Sequence, residues 1–176
     1  MKDGDKGASF SSLRSVQRQG EDIDLQAATP TVDIHPILLY DGVCGLCNRS
    51  VQFILRHDST AIFRFASLQS ALANGILVRR GADPVDLDTV YVVLDHVPNA
   101  EGQPNESLLS RSDAVVFVLK QLGGLWRAIG LTLQIVPRPL RDWLYRRVAN
   151  NRYRIFGRHK TCPVPTEAMR ARFLDV

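Results

Sequence analysis

Two cysteines with two residues between them, Cys44 and Cys47, are the side chains of this sequence best suited to chemistry. On one helical turn, this spacing brings two sulfurs close enough for a reversible disulfide. The pair stands between an apolar run, Ile37–Tyr40, and a helical pattern that begins near Leu46. A thiol at a helix start lies beside unpaired backbone N–H groups, which stabilise its thiolate. The sequence therefore predicts Cys44 as the nucleophile, and Cys47, better shielded inside the helix, as the resolving thiol.

A carboxyl group precedes the pair, because Asp41 lies three residues before Cys44. If burial raised its pKa, Asp41 could accept the proton of Cys47 during resolution. An Asp followed by Gly is also common in turns, where the carboxylate binds nearby backbone N–H groups. The two roles are compatible, and we predict Cys44, Cys47 and Asp41 as the catalytic residues.

A zinc site is the alternative use of the same cysteines. His159 and Cys162 form a second pair with two residues between them. Together with Cys44 and Cys47 they would make a Cys₃His ligand set, which is typical of structural zinc. The two pairs are more than 100 residues apart, and one of them opens a helix, which favours the redox interpretation with no metal. A zinc-stabilised binding module remains the alternative, because bound zinc would prevent the disulfide cycle.

The hydrophobic pattern predicts an α/β protein with a mixed sheet, because a βαβ opening is followed by a hairpin and further helices. In the last helix, Leu140, Trp143, Leu144 and Val148 are predicted to form the buried face. We also predict that Ser110, Ser112 and Asp113 cap the helix that follows them. The predicted strands cover residues 37–40, 62–65, 90–94 and 107–109, and the predicted helices cover residues 46–57, 67–78, 114–122, 125–136 and 139–156.

Composition places the chain among soluble globular proteins. It has 176 residues, of which 45% are hydrophobic and 23% charged, and that length suits one domain. Three cysteines are too few for a disulfide-stapled secreted scaffold. We therefore predict a cytoplasmic protein in a reducing compartment. Residues 1–31 are predicted to be a disordered tail, and residues 32–176 a single domain with a helical C-terminal extension.

Charge and motifs limit the partners. Residues 138–176 contain ten Lys or Arg against three Asp or Glu. This excess is typical of a solvated helix face, and weak contact with a membrane surface is a possible addition. No nucleic-acid motif is present. No glycine-rich nucleotide or flavin fingerprint is present either, so we predict no cofactor. Electrons would come through thiols, from a thioredoxin system or glutathione, and pass to client protein or small-molecule disulfides.

The segment from Tyr40 to Asn48, YDGVCGLCN, resembles the D-x-x-C-x-x-C signature of the DCC family of thiol-disulfide oxidoreductases. The resemblance extends over roughly residues 37–165 and implies a thioredoxin-like fold and protein-disulfide reductase activity. Thioredoxins place a proline directly before the strand that faces the active site, whereas Asp88 and Thr89 stand there in this chain. Further matching blocks are Ser110 to Ala114, Leu122 to Gly124, Ile135 to Asp142, Asn151 to Tyr153, Phe156–Gly157 and Cys162.

Overall fold

A computed structural model describes residues 35–94, 106–158 and 167–175. The predicted tail over residues 1–31 lies outside these ranges, so that prediction is not tested. In chain order the elements are β1 (Ile37–Tyr40), α1 (Gly45–His57), β2 (Arg64–Ser67), α2 (Ala71–Arg79), β3 (Tyr91–Leu94), β4 (Ser107–Ser110), α3 (Arg111–Gln121), α4 (Gly124–Ile135), α5 (Arg138–Phe156) and α6 (Glu167–Arg170).

The four strands of the described residues form one mixed sheet in the order β2-β1-β3-β4. β1 pairs parallel to β2 and antiparallel to β3, and β3 pairs antiparallel to β4. All four residues of β1 are buried, as a central strand covered on both faces requires. Alternate residues of β1 enter two separate hydrophobic clusters: Leu38 and Tyr40 join one, and Ile37 and Leu39 the other. The predicted α/β, thioredoxin-like fold with additional C-terminal helices is confirmed.

Strand β2 begins two residues later than the sequence predicts. The carboxylate of Asp58 accepts hydrogen bonds from the backbone N–H groups of Ile62 and Phe63, at 3.2 and 3.0 Å. Those two residues are therefore held in the loop, and pairing with β1 starts at Arg64.

The predicted buried face of α5 is wrong. Leu140, Trp143, Leu144 and Val148 are exposed, and Trp143 retains 53% of its accessible surface. The buried residues of α5 are instead Ala149 and Arg152. The helix is rotated so that a charged side chain points inward and an apolar row points outward. No described helix is long and apolar enough to cross a membrane.

The predicted capping of α3 is also wrong in its details. Ser110 occupies the N-cap position, but its side chain makes no capping hydrogen bond. Ser112 donates its hydroxyl hydrogen to Asp142, and Asp113 binds Arg141 at 3.0 Å. These side chains fasten α3 to α5 instead of closing their own helix.

The end of α5 packs directly against the start of α1. A Cβ atom built on Gly45 would lie 2.2 Å from the carbonyl oxygen of Phe156. The backbone N–H of Gly45 donates to the carbonyl oxygen of Gly157 at 3.1 Å. Only glycine leaves room for this close approach of two main chains.

We predict that Gly45→Ala destabilises the protein by about 2 kcal/mol, because a backbone atom must move to admit the methyl group. Gly75→Ala is the matched control. Gly75 lies inside α2 and meets only the flexible end of Arg79, at 3.3 Å, so the substitution should stabilise by roughly 0.5 kcal/mol. Urea unfolding of both variants measures the difference. Equal stability of the two variants would contradict the close approach.

Candidate active site

The two cysteines meet at the first turn of α1. Cys44 is the N-cap residue, with extended backbone angles, and its Sγ accepts a hydrogen bond from the N–H of Cys47 at 3.4 Å. Both cysteines are free thiols. The predicted position of Cys44 at the helix start is therefore confirmed, and one backbone N–H group points at its sulfur.

The predicted shielding of the two thiols is reversed. Cys44 has 0% of its surface exposed, whereas Cys47 is partly exposed. The main chain beyond α5 explains the difference, because Cys44 forms an isolated antiparallel bridge with Arg158. The neighbouring hydrogen bond between Gly45 and Gly157 holds the same segment in place.

The surroundings of Cys47 oppose its ionisation. Burial raises the pKa of the Cys47 thiol strongly, and its hydrogen bond with Cys44 and the charges of Cys44 and Asp41 raise it further. The positive charge of Arg152 lowers this pKa and offsets part of the effect. Cys47 is therefore a protonated thiol at neutral pH, and a negative charge on Cys44 makes it harder to ionise.

Asp41 is 1% exposed, yet the predicted rise of its pKa is wrong. Burial alone raises the pKa of this carboxyl group, but hydrogen bonds from Tyr153, Gln69, Val43 and Arg152 outweigh burial and lower it. Gln69 donates from 2.9 Å and the backbone N–H of Val43 from 3.1 Å. The contact with Val43 is the Asx-turn that the sequence also allowed. Asp41 is thus an ionised acceptor at neutral pH.

Arg152 is the site residue that the sequence analysis missed. It is 3% exposed, and its Nη2 lies 3.3 Å from Asp41, while its Nη1 lies 2.6 Å from Asp88. Its guanidinium group also donates to the carbonyl oxygens of Leu87 and Ala149, both at 3.1 Å. The matching block from Asn151 to Tyr153 contains Arg152 and could have pointed to it. Hydrophobic periodicity pointed instead to the apolar residues of the same helix as the ones that pack against the protein.

A largely apolar cavity of about 390 Å³ opens beside Cys47. Asp41 and Arg152 also line it, whereas Cys44 does not. Residues 87–90, directly before β3, form part of its wall, in the place where thioredoxins carry their proline. The remaining wall is mainly apolar and includes Leu46, Phe53, Val115, Leu119, Leu133, Leu144 and Val148.

The zinc alternative is not tested. Among residues 35–94, 106–158 and 167–175, no group of three or more His, Cys, Asp or Glu side chains could hold a metal ion. His159 and Cys162, which the alternative requires, lie outside those ranges.

Comparisons with known proteins agree on one family. Residues 38–158 match the family model of the DCC1-like thiol-disulfide oxidoreductases. A chloroplastic DCC family protein of Arabidopsis thaliana is 38% identical over 130 residues, which are 74% of this chain and 70% of the relative. The uncharacterized protein YuxK of Bacillus subtilis strain 168 is 37% identical over 138 residues, 78% of this chain and 93% of the relative. No solved structure matches the chain significantly.

We predict that Arg152→Met destabilises the protein by about 3 kcal/mol at neutral pH, because it leaves the Asp41 carboxylate buried without its cation. Arg154→Met, on the exposed side of the same helix, is the matched control and should cost less than about 0.5 kcal/mol. In a double-mutant cycle, Arg152→Met should cost less once Asp41→Asn is present. Additive losses in urea unfolding would show that the pair is not coupled.

The same pair makes stability depend on pH. Because the pKa of Asp41 is lowered on folding, its contribution is complete above the pKa of an unfolded Asp, about 3.9. That contribution is lost as the pH falls through the lower pKa of the folded state. The change in unfolding free energy caused by Asp41→Asn should therefore shrink below about pH 4, as measured in urea at a series of pH values.

Proposed function

Since the chain belongs to the DCC1-like family of thiol-disulfide oxidoreductases, we propose that it is a protein-disulfide reductase. In this proposal Cys44 and Cys47 cycle between dithiol and disulfide. One observation supports it most. The Cys44 Sγ lies at the start of α1, 3.4 Å from the backbone nitrogen of Cys47, and the pKa of the Cys47 thiol is raised. The two thiols are therefore unequal, as a nucleophile and a resolving thiol must be.

In the first step the Cys44 thiolate attacks one sulfur of a client disulfide. A bond forms between Cys44 and that sulfur, the client's S–S bond breaks, and the other client sulfur leaves as a thiolate. The N–H of Cys47 and the positive end of the α1 dipole stabilise the attacking thiolate. Because Cys44 is fully buried, this step requires the main chain around Arg158 to move away from it.

In the second step Cys47 attacks the Cys44 sulfur of the mixed disulfide. The Cys44–Cys47 disulfide forms, the client is released as a dithiol, and the two electrons of the Cys44–Cys47 pair have reduced it. The departing client thiolate is a strong enough base to take the proton of Cys47. Asp41 is proposed as the group beside Cys47 that relays this proton, although its lowered pKa makes it only a transient carrier.

We infer the direction of the cycle from the groups that surround the cysteine pair. Strong oxidants of this class have an unusually stable reduced form. The residues between the cysteines, Gly45 and Leu46, carry no charge, and the N–H of Gly45 is occupied by Gly157. We infer that the reduced form is not unusually stable, so the pair donates electrons. A thioredoxin system or glutathione would then return the protein to its dithiol form.

A reducing compartment is required for this cycle, and we propose the cytoplasm. The Arabidopsis relative is described as chloroplastic. That description applies to the relative and does not fix the location of this chain.

We predict that Cys44→Ser abolishes disulfide reduction, and that Cys47→Ser accumulates a mixed disulfide on Cys44 because no resolving thiol remains. Serine suits the N-cap position, so Cys44→Ser should stay folded. Both variants are made with Cys162→Ala, so that the third cysteine cannot act as a substitute, and Cys162→Ala alone is the control. Mass spectrometry after incubation with an insulin substrate identifies the trapped sulfur. Turnover that survives Cys44→Ser would disprove the assignment.

We also predict a midpoint potential near that of thioredoxin, about −270 mV, and far below the roughly −120 mV of the strongest oxidant of this type. Equilibration with glutathione buffers and alkylation of free thiols measures it. A potential above about −180 mV, the value for protein disulfide isomerase, would reverse the proposed direction.

A further inference from the structure

Two helices carry most of the exposed apolar surface of the described residues. Nine of the thirteen exposed large hydrophobic side chains lie on α4 or α5, and Ile135 retains 83% of its accessible surface. We call these nine the α4–α5 surface: Leu125, Ile129, Leu131, Ile135, Leu140, Trp143, Leu144, Val148 and Ile155. Single exposed apolar residues are ordinary, whereas several on the same two helices point to an interaction site.

The arrangement of this surface follows from how each helix is packed. On α4, Gly130 lies against α3, where an added Cβ would come within 3.2 Å of Leu119. On α5, Leu140, Leu144 and Val148 recur at every fourth residue, and all three are exposed. Residues four apart lie on one side of a helix, so these three form a continuous row.

Positive charge surrounds the apolar side chains. Between residues 124 and 158 Asp142 is the one acidic residue among eight arginines, and it accepts a hydrogen bond from Ser112. Arg147 lies over the ring of Trp143, with its guanidinium carbon 5.7 Å from the ring centroid. The other exposed arginines of the two helices are Arg127, Arg138, Arg146 and Arg154.

We infer that the α4–α5 surface docks on the surface of an anionic lipid bilayer. Exposed apolar side chains, a tryptophan and arginines are the residue types that contact a membrane interface containing anionic lipid. Arginine can extend its charged end to lipid phosphates while its stem stays apolar. A second copy of the chain would cover the apolar groups but bring like charges together. A nucleic acid would bind the arginines but leave the apolar groups exposed.

The inference is independent of the proposed redox cycle, because it uses neither cysteine. The α4–α5 surface nevertheless borders the site. Leu144 and Val148 belong to the α4–α5 surface and also line the cavity beside Cys47. Docking would therefore bring the mouth of that cavity to the lipid surface.

Vesicle co-sedimentation of the full chain tests the inference. Vesicles of phosphatidylcholine alone are compared with vesicles in which one third of the lipid is phosphatidylglycerol, at low and high salt. We expect binding to the anionic vesicles that is about tenfold or more stronger than to the neutral ones and that weakens with salt. In a Trp126→Phe background, the emission of Trp143 should shift to shorter wavelength when the anionic vesicles are added.

Two variant pairs separate apolar from ionic contributions. The double variant Ile135→Glu, Leu140→Glu should weaken vesicle binding about tenfold or more. Arg146→Glu with Arg147→Glu should do so too. Val78→Glu and Arg80→Glu are the matched controls, since both residues are exposed at the end of α2, and binding should not change. Circular dichroism and urea unfolding show that each variant is folded.

Three results would overturn the inference. The first is equal vesicle binding by wild type and the Ile135→Glu, Leu140→Glu variant. The second is a dimer in analytical ultracentrifugation that this variant dissociates, without vesicle binding by the wild type. The third is binding to duplex DNA in place of vesicles.

Discussion

The ion pair between Asp41 and Arg152 is the constraint on which the arrangement of the site depends. It joins the end of β1 to the C-terminal part of α5, although the two residues are 111 positions apart in the chain. Burying a guanidinium group costs free energy unless its donors find acceptors. Arg152 finds them on Asp41, on Asp88 and on two backbone carbonyl oxygens. Its Nε is buried without an acceptor among the described residues, and its other two nitrogens tie this part of α5 to the end of β1 and to the segment before β3.

The two sides of α5 have different surroundings. Toward the protein, the end of α5 reaches the start of α1, where Gly45 allows the backbones to touch and Arg158 covers Cys44. Toward solvent, the apolar row of α5 is exposed. α5 and the main chain that follows it therefore contribute both to the shielding of Cys44 and to the exposed apolar surface. An apolar side chain at position 152 would have no electrostatic reason to hold this orientation.

The electrostatics of the site make the surroundings of the two thiols unequal. Cys44 receives a backbone N–H at the helix mouth. Cys47 is opposed in its ionisation by burial, by Cys44 and by Asp41. Arg152 acts on both carboxylate and thiol, since it lowers the pKa of Asp41 and of Cys47. The ion pair is therefore part of the chemistry of the site as well as of its architecture.

The sequence by itself determined the features that depend on near neighbours. β1 coincides with its predicted bounds, and the cysteine pair stands at the mouth of α1 because strand, turn and helix are adjacent in the chain. The Asx-turn at Asp41 is equally local. The tertiary structure alone decided the inward face of α5, the shielding of Cys44 and the direction of the Asp41 pKa shift. Each of these depends on contacts between residues about 110 positions apart. Hydrophobic periodicity ranks the faces of a helix by apolarity, and it cannot register an arginine whose burial is compensated by acceptors from distant parts of the chain.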